Sequence, residues 1–147
     1  MTAEDIKDLR EKTGAGVMDA KRALEEASGD MDRAIQIIQE RGLVKAEKKA
    51  DRTTGAGLIF SYIHNDRIGV LLDIRCETDF VARTEDFKQL ARDVAMQIAA
   101  MEPEDVTALL TSPFIKNESV TIENLIKGVI AKVGENIQIA KFCRYAL

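Results

Sequence analysis

GLIFSYIHNDRIGVLLDIRC, residues 57–76, holds two runs of alternating apolar side chains that meet at a short polar turn. A period of two predicts β-strands over GLIFSYIH (57–64) and IGVLLDIRC (68–76), with Asn65, Asp66 and Arg67 forming a tight hairpin between them. Downstream the period becomes helical. Phe87, Leu90, Ala91, Val94, Ala95 and Ile98 share one face of a helix expected from about Thr84 to Met101, and Pro103 stops it. Residues 104–120 have no single reading, although EDVTALL allows one short helical turn. TIENLIKGVIAKVG (121–134) then predicts an amphipathic helix. Thr121 caps it, Gly134 closes it, and Ile122, Leu125, Ile126, Val129, Ile130 and Val133 form its stripe. NIQIAKFCRYA (136–146) predicts a third strand. Three strands need a covered face, and the two amphipathic helices supply it. The expected core is α+β, a three-stranded antiparallel sheet packed with helices.

Upstream of the hairpin the chain reads as helix throughout. Thr2 caps a first helix to Thr13, with Glu4 and Asp5 at its positive end, Ile6 and Leu9 as its narrow stripe, and Gly14 as its stop. A second helix runs from about Val17 to Ser28 and buries Ala20, Ala23, Leu24 and Ala27. The third follows Asp30 and is expected to end before Gly42, with Met31, Ala34, Ile35 and Ile38 at helical spacing. Three helices with so few large side chains make a small core. VKAEKKADR (44–52) carries Lys45, Lys48, Lys49 and Arg52 with little apolar surface and reads as a solvated, semi-rigid helical linker. The expected division is 1–42 for the three-helix module, 43–56 for the basic linker and 57–147 for the α+β core.

Composition narrows the function. With 46% apolar and 31% charged residues the chain is globular and soluble. No run reaches the ~20 apolar residues of a membrane span, and the charged N-terminus does not suit a signal or transit peptide, so a cytoplasmic location is expected. A net charge of −4, with no tryptophan, disfavours nucleic-acid binding. Two cysteines and one histidine exclude a disulfide framework, a zinc site and most nucleophile–base sets. Cys76 and Cys143 read as buried small hydrophobes, and His64 as a solvated residue near the hairpin turn. No metal, cofactor or catalytic residue is expected, and the chain does not read as an enzyme.

Two segments remain for binding. CETDFVAR (76–83) lies between a strand end and a helix start, where Phe80 either tucks beneath the loop or stands out as an anchor beside Asp79. LREKTGAGVMDAKRAL (9–24) holds a tight TGAG turn that lacks the Gly-Lys-Ser/Thr of a phosphate loop. Val17 and Met18 follow it, and adjacent helical residues point about 100° apart, so at most one faces the small core squarely.

LREKTGAGVMDAKRAL, KAEKKADR, CETDFVAR and IAKVGENIQIAKFCRY, in that order and over most of the chain, resemble the successive signatures of the elongation factor Ts family. The resemblance implies a ubiquitin-associated-like N-terminal module, a linker and a sheet-and-helix core. It also implies guanine-nucleotide exchange on elongation factor Tu. Thr78, Asp79, Phe80 and Val81 would then reach the partner's magnesium and phosphate site, with Phe80 as a wedge and Asp79 beside the disturbed magnesium shell. Lys7, Arg10, Val17 and Met18 would dock the N-terminal module. Longer members of the family carry a second core subdomain, and the stretch from Pro103 to Glu118 is shorter here than the helical insertion usual in the family. A single sheet unit leaves a lopsided core, so a homodimer is expected, with Cys143 near its axis. The alternative function is an interaction module with a dimerising core and no exchange activity.

Overall fold

The computed structural model describes residues 1–147, and the helical and strand periods become seven helices and five strands. The N-terminal bundle comprises α1 (Ala3–Thr13), α2 (Val17–Glu26) and α3 (Met31–Glu47). A reciprocal capping box opens α1: Thr2 Oγ1 accepts from the Asp5 N–H, and the Asp5 carboxylate accepts from the Thr2 N–H. Gly14 closes it in the left-handed region. Asp30 caps α3 through the Arg33 N–H. Leu9, Ala20, Ala23, Leu24, Ala27, Ala34 and Ile37 make a small core belonging to the bundle alone.

The third helix is longer than its sequence suggests. It does not stop before Gly42 but continues to Glu47, so residues 44–47 of the expected linker helix are the last turn of α3, and residues 48–52 follow as turns rather than helix. Gly42 is buried where α3 crosses α7 (Ile122–Val133), and a methyl group placed on it would stand 3.4 Å from the Ala131 methyl. Four residues on, Ala46 joins the larger core of the molecule. Tertiary burial overrides the helix-breaking tendency of glycine here, because a small residue lets two helices approach closely. Part of the basic segment is likewise paired rather than simply solvated: Lys45 bonds to Asp19 at 3.2 Å and Arg52 to Glu77 at 3.5 Å.

The main sheet is antiparallel in the order β1 (Ala56–His64), β2 (Ile68–Cys76), β5 (Ile137–Ala146). The hairpin pairs His64 with Ile68, and Asn65 and Asp66 turn it at φ 51° and 59°. Asn and Asp are the non-glycine residues that accept this conformation most readily. Inward side chains of the strands, including Val70, Leu72, Ile74 and Ile139, meet α5 (Glu85–Met101), whose Phe87, Leu90, Val94 and Ile98 are buried. Helix α7 packs chiefly on α3 and α5 rather than lying flat on the sheet, so α5 is the principal cover.

The ambiguous stretch resolves into α6 (Val106–Thr111), capped by Asp105, and a small hairpin of β3 (Pro113–Phe114) and β4 (Asn117–Thr121). Gln97, on the otherwise apolar face of α5, is wholly buried and anchors this hairpin: its amide donates to the Pro113 carbonyl and accepts from the Ile115 N–H. A buried amide satisfied by backbone costs little, which is why its placement is compatible with the core. Helix α4 (Asp79–Ala82) is a single turn. No helix is long and apolar enough to cross a membrane.

Two glycines of this fold respond oppositely to alanine. At Gly57, with φ 142°, an added methyl collides with the Ile74 carbonyl oxygen and lies 2.8 Å from Arg75 Cα. Gly57→Ala therefore lowers unfolding stability by about 2 kcal/mol or more in urea titration. Gly42→Ala gains helix propensity without collision and leaves stability equal or raises it by up to about 1 kcal/mol.

Candidate functional site

Strand β2 ends at Cys76, whose buried thiol donates to the Thr78 carbonyl at 3.2 Å. The chain then turns outward through Glu77 and Thr78 into α4. Thr78 is the N-cap: its hydroxyl oxygen accepts from the Val81 N–H at 3.3 Å. One turn later Thr84 caps α5, donating its hydroxyl to the Val81 carbonyl and accepting from the Phe87 N–H. Two caps in succession leave α4 no freedom to extend or unwind into α5.

The result is an amphipathic single turn. Val81 and Ala82 point into the core at 5% and 6% exposure. Asp79 is exposed, and Phe80 presents its ring to solvent at 81% exposure. Leaving such a ring in water forgoes about 1.5–3 kcal/mol of burial that a partner's pocket could supply. Of the two placements open to Phe80 in the sequence, the outward one is found. Thr78, Asp79, Phe80 and Val81 are thus brought together, three of them outward and Val81 inward as the anchor.

Glu135 supplies the element that motif reading missed. It sits between α7 and β5, and its carboxylate accepts from the backbone N–H of Glu77 at 3.1 Å, the N–H of Thr78 at 3.0 Å and the Thr78 hydroxyl at 2.7 Å. Glu77 answers across the same gap, its carboxylate accepting from the Asn136 N–H at 2.6 Å. The pairing joins residues 58 and 59 positions apart. The only sequence signal was two acids and an amide flanking helix and strand ends.

The second candidate surface lies on the bundle. Val17 and Met18 open α2 and are both exposed, at 49% and 56%. Neither faces the small core, because Ala20, Ala23 and Leu24 occupy that side. Arg10 is held beside them, its Nε donating to the Ala15 carbonyl at 3.3 Å, while Lys7 stands one turn earlier on α1 and reaches Glu11 at 4.0 Å. The α1–α2 turn leans on α7: a methyl on Gly14 would stand 2.5 Å from Lys132 Cε. The Lys132 ammonium pairs with Asp86 at the start of α5, at 3.1 Å. Both candidate surfaces therefore border the C-terminal end of α7, a juxtaposition that no local motif records.

The cysteines divide. Cys76 is buried, and burial, reinforced by the negative charges of Glu135 and Asp79, pushes its thiol up from the ordinary value. Cys143 is not buried as its strand position suggested. It lies on the outer face of β5, opposite Leu71, where no helix covers the sheet. Iodoacetamide at pH 8 accordingly labels Cys143 ahead of Cys76 in the native protein, and labels Cys76 only after denaturation; mass spectrometry of the two peptides reads the difference.

Comparison with known proteins places this geometry in context. Residues 77–147 match the family model described as Elongation factor TS. Proteins named Elongation factor Ts from Carboxydothermus hydrogenoformans and Fervidobacterium nodosum are each 43% identical, covering 100% and 98% of this chain and 89% and 96% of their own lengths. That of Thermodesulfovibrio yellowstonii is 42% identical over 99% of this chain and 95% of its own length. The first alignment extends over 193 positions against the 147 residues here, so the relative carries positions that face no residue of this chain.

Proposed function

This chain belongs to the elongation factor Ts family, and from that premise we propose that it is a guanine-nucleotide exchange factor for elongation factor Tu, acting in the cytoplasm during translation elongation. It performs no covalent chemistry. It binds the GDP complex, inserts the α4 turn beside the magnesium and phosphate site, and promotes GDP release. The observation that carries this reading is Phe80, 81% exposed on a doubly capped turn beside a free carboxylate. An interaction module without exchange activity has no use for an apolar ring held rigidly in water at that point.

The energetics require more than the wedge. Exchange is a coupling between two binding events, and the coupling is reciprocal. If the factor weakens GDP binding by about 10³, GDP weakens its binding equally, by about 4 kcal/mol. Burial of one Phe side chain supplies about 1.5–3 kcal/mol. The remainder falls to further contacts, for which the ubiquitin-associated-like bundle offers Lys7, Arg10, Val17 and Met18. Because this surface and α4 border the same end of α7, one partner domain can engage both.

Phe80→Ala separates wedge from scaffold. The ring is exposed, so the substitution changes unfolding stability by less than about 0.5 kcal/mol. The maximal rate at which a fluorescent GDP leaves elongation factor Tu falls about tenfold or more in stopped flow, in line with the loss of a buried aromatic anchor. An unchanged rate removes Phe80 as the wedge, and failure of the unsubstituted chain to accelerate release overturns the exchange reading.

A second reading concerns assembly, and the outer face of the sheet favours it. Ile59, Ile63, Leu71 and Tyr145 on that face are 64%, 62%, 50% and 77% exposed. The register sets Ser61, Leu71 and Cys143 in one row and Ile63, Gly69 and Tyr145 in the next, so the apolar groups are contiguous. A sheet face meant for water alternates to polar residues outward, and this one does not. We propose that two copies stack these faces across a two-fold axis, each sheet covering the other. The protein then runs as a dimer in light scattering at micromolar concentration, and Leu71→Lys, which places two ammonium groups in the interface, yields the monomer. A monomeric mass for the unsubstituted chain rejects this arrangement.

A further inference from the structure

The junction between α7 and β5 carries an arrangement that neither docking surface explains. After Gly134 ends α7 in the left-handed region, Glu135 and Asn136 each fasten a different part of the chain before β5 begins. Glu135 receives three hydrogen bonds, all from the 77–78 loop. Asn136, 2% exposed, donates its amide to the carbonyls of Ala50 and Arg52, at 3.2 and 2.9 Å, just beyond the end of α3. The loop that launches α4 and the segment that follows the bundle are therefore tied to consecutive residues.

The decisive bond is from the Thr78 hydroxyl to Glu135 Oε2, at 2.7 Å. A hydroxyl has one proton. Committing it to Glu135 aims a lone pair at the Val81 N–H, which is the bond that caps α4. Without Glu135 the hydroxyl rotates freely and two loop N–H groups lose their acceptor. Val81 and Ala82 in the core and the Thr84 cap hold the far end of this four-residue helix, so the Thr78 cap is what fixes its first residues, Asp79 and Phe80. Phe80, the second residue of this turn, takes its direction from it.

We propose, building on the exchange reading above, that Glu135 is a positioning residue for nucleotide release: it touches no nucleotide, and it holds the Thr78 hydroxyl and the 77–78 backbone so that α4 presents Phe80 in one fixed direction. The role is distinguished from fold maintenance by where the bonds go: all three hold the 77–78 loop that launches α4. It acts on the efficiency of an assembled complex rather than on the encounter.

The test measures release of fluorescent GDP from elongation factor Tu against increasing concentrations of the full chain, for Glu135→Ala, Glu135→Gln and Phe80→Ala, with thermal melts of each. Glu135→Ala lowers the plateau rate about tenfold, the scale of a lost cap with its charge-assisted bonds, and changes the half-saturating concentration less than about twofold. Glu135→Gln keeps an acceptor for the two N–H groups but sets an amide N–H against the Thr78 hydroxyl in place of Oε2, and so recovers only part of the lost plateau. An unfolded fraction would raise the half-saturating concentration and leave the plateau intact, so that pattern assigns Glu135 to structure alone and overturns the proposal. An unchanged curve for Glu135→Ala, with the plateau lost in Phe80→Ala, overturns it too while leaving the exchange reading standing. An unchanged curve for Phe80→Ala removes the wedge and this proposal with it, whereas a flat curve for the unsubstituted chain removes the exchange reading itself. Should the alanine variant fail to fold, Glu135→Asp, which keeps the charge and withdraws it by one methylene, takes its place with the same expected plateau loss.

Discussion

Gly42 of α3 faces Ala131 of α7 with room for no more than a methyl group, and this crossing joins the two halves of the molecule. The bundle's own core is seven residues, of which four are alanines, too little to define its orientation on the larger unit. Carrying α3 across α7 delivers Ala46 to the main core and plants the α1–α2 turn over Lys132. A larger side chain at the crossing would separate the axes, and with them the two surfaces that border the end of α7. The position of the bundle thus follows from two small residues rather than from any flexible connection.

Around the end of α7 the molecule concentrates its polar bonding. The helix stops at Gly134, and within the next two residues the loop after β2 and the segment after α3 are both captured. Carboxylate acceptors suit this task because a single charged group takes several N–H donors at once and strengthens each bond. Charge also remains manageable there, since Glu77 meets Arg52 as well as the Asn136 N–H. Precision at α4 is what an exchange factor would need: an apolar ring gains binding energy only if it arrives in register with its pocket. The same logic explains why the exposed ring sits on a capped turn and not on a mobile loop.

The outer face of the main sheet is apolar and uncovered by any helix. Arg144 faces inward from β5, donates to the Ala99 carbonyl and so closes the end of α5, while its neighbours Cys143 and Tyr145 face outward onto the uncovered sheet. One strand therefore serves the core with one set of residues and leaves an apolar face with the other. Asp73 and Arg75 mark the polar end of that face, paired at 2.7 Å, and the guanidinium holds the Asp73 carboxyl below its ordinary value.

Elements whose signals are local were legible in the sequence. The strand pair, expected at 57–64 and 68–76, follows from its period of two and its Asn-Asp turn; α5 and α7 follow from their stripes, α7 with Thr121 as its cap; Gly14 and Gly134 close helices because left-handed backbone favours glycine. Caps, turns and periodicity depend on residues within a few positions, so sequence alone determines them. It did not determine the continuation of α3 past Gly42, the outward turn of Cys143, the hairpin anchored by Gln97 or the hold of Glu135 on Thr78. Each of these depends on a partner far along the chain, and a glycine, a cysteine or a carboxylate carries no local mark of whether another element will come to meet it. The tertiary structure decided them, because burial and pairing across space are properties of the assembled packing and not of the residues that enter it.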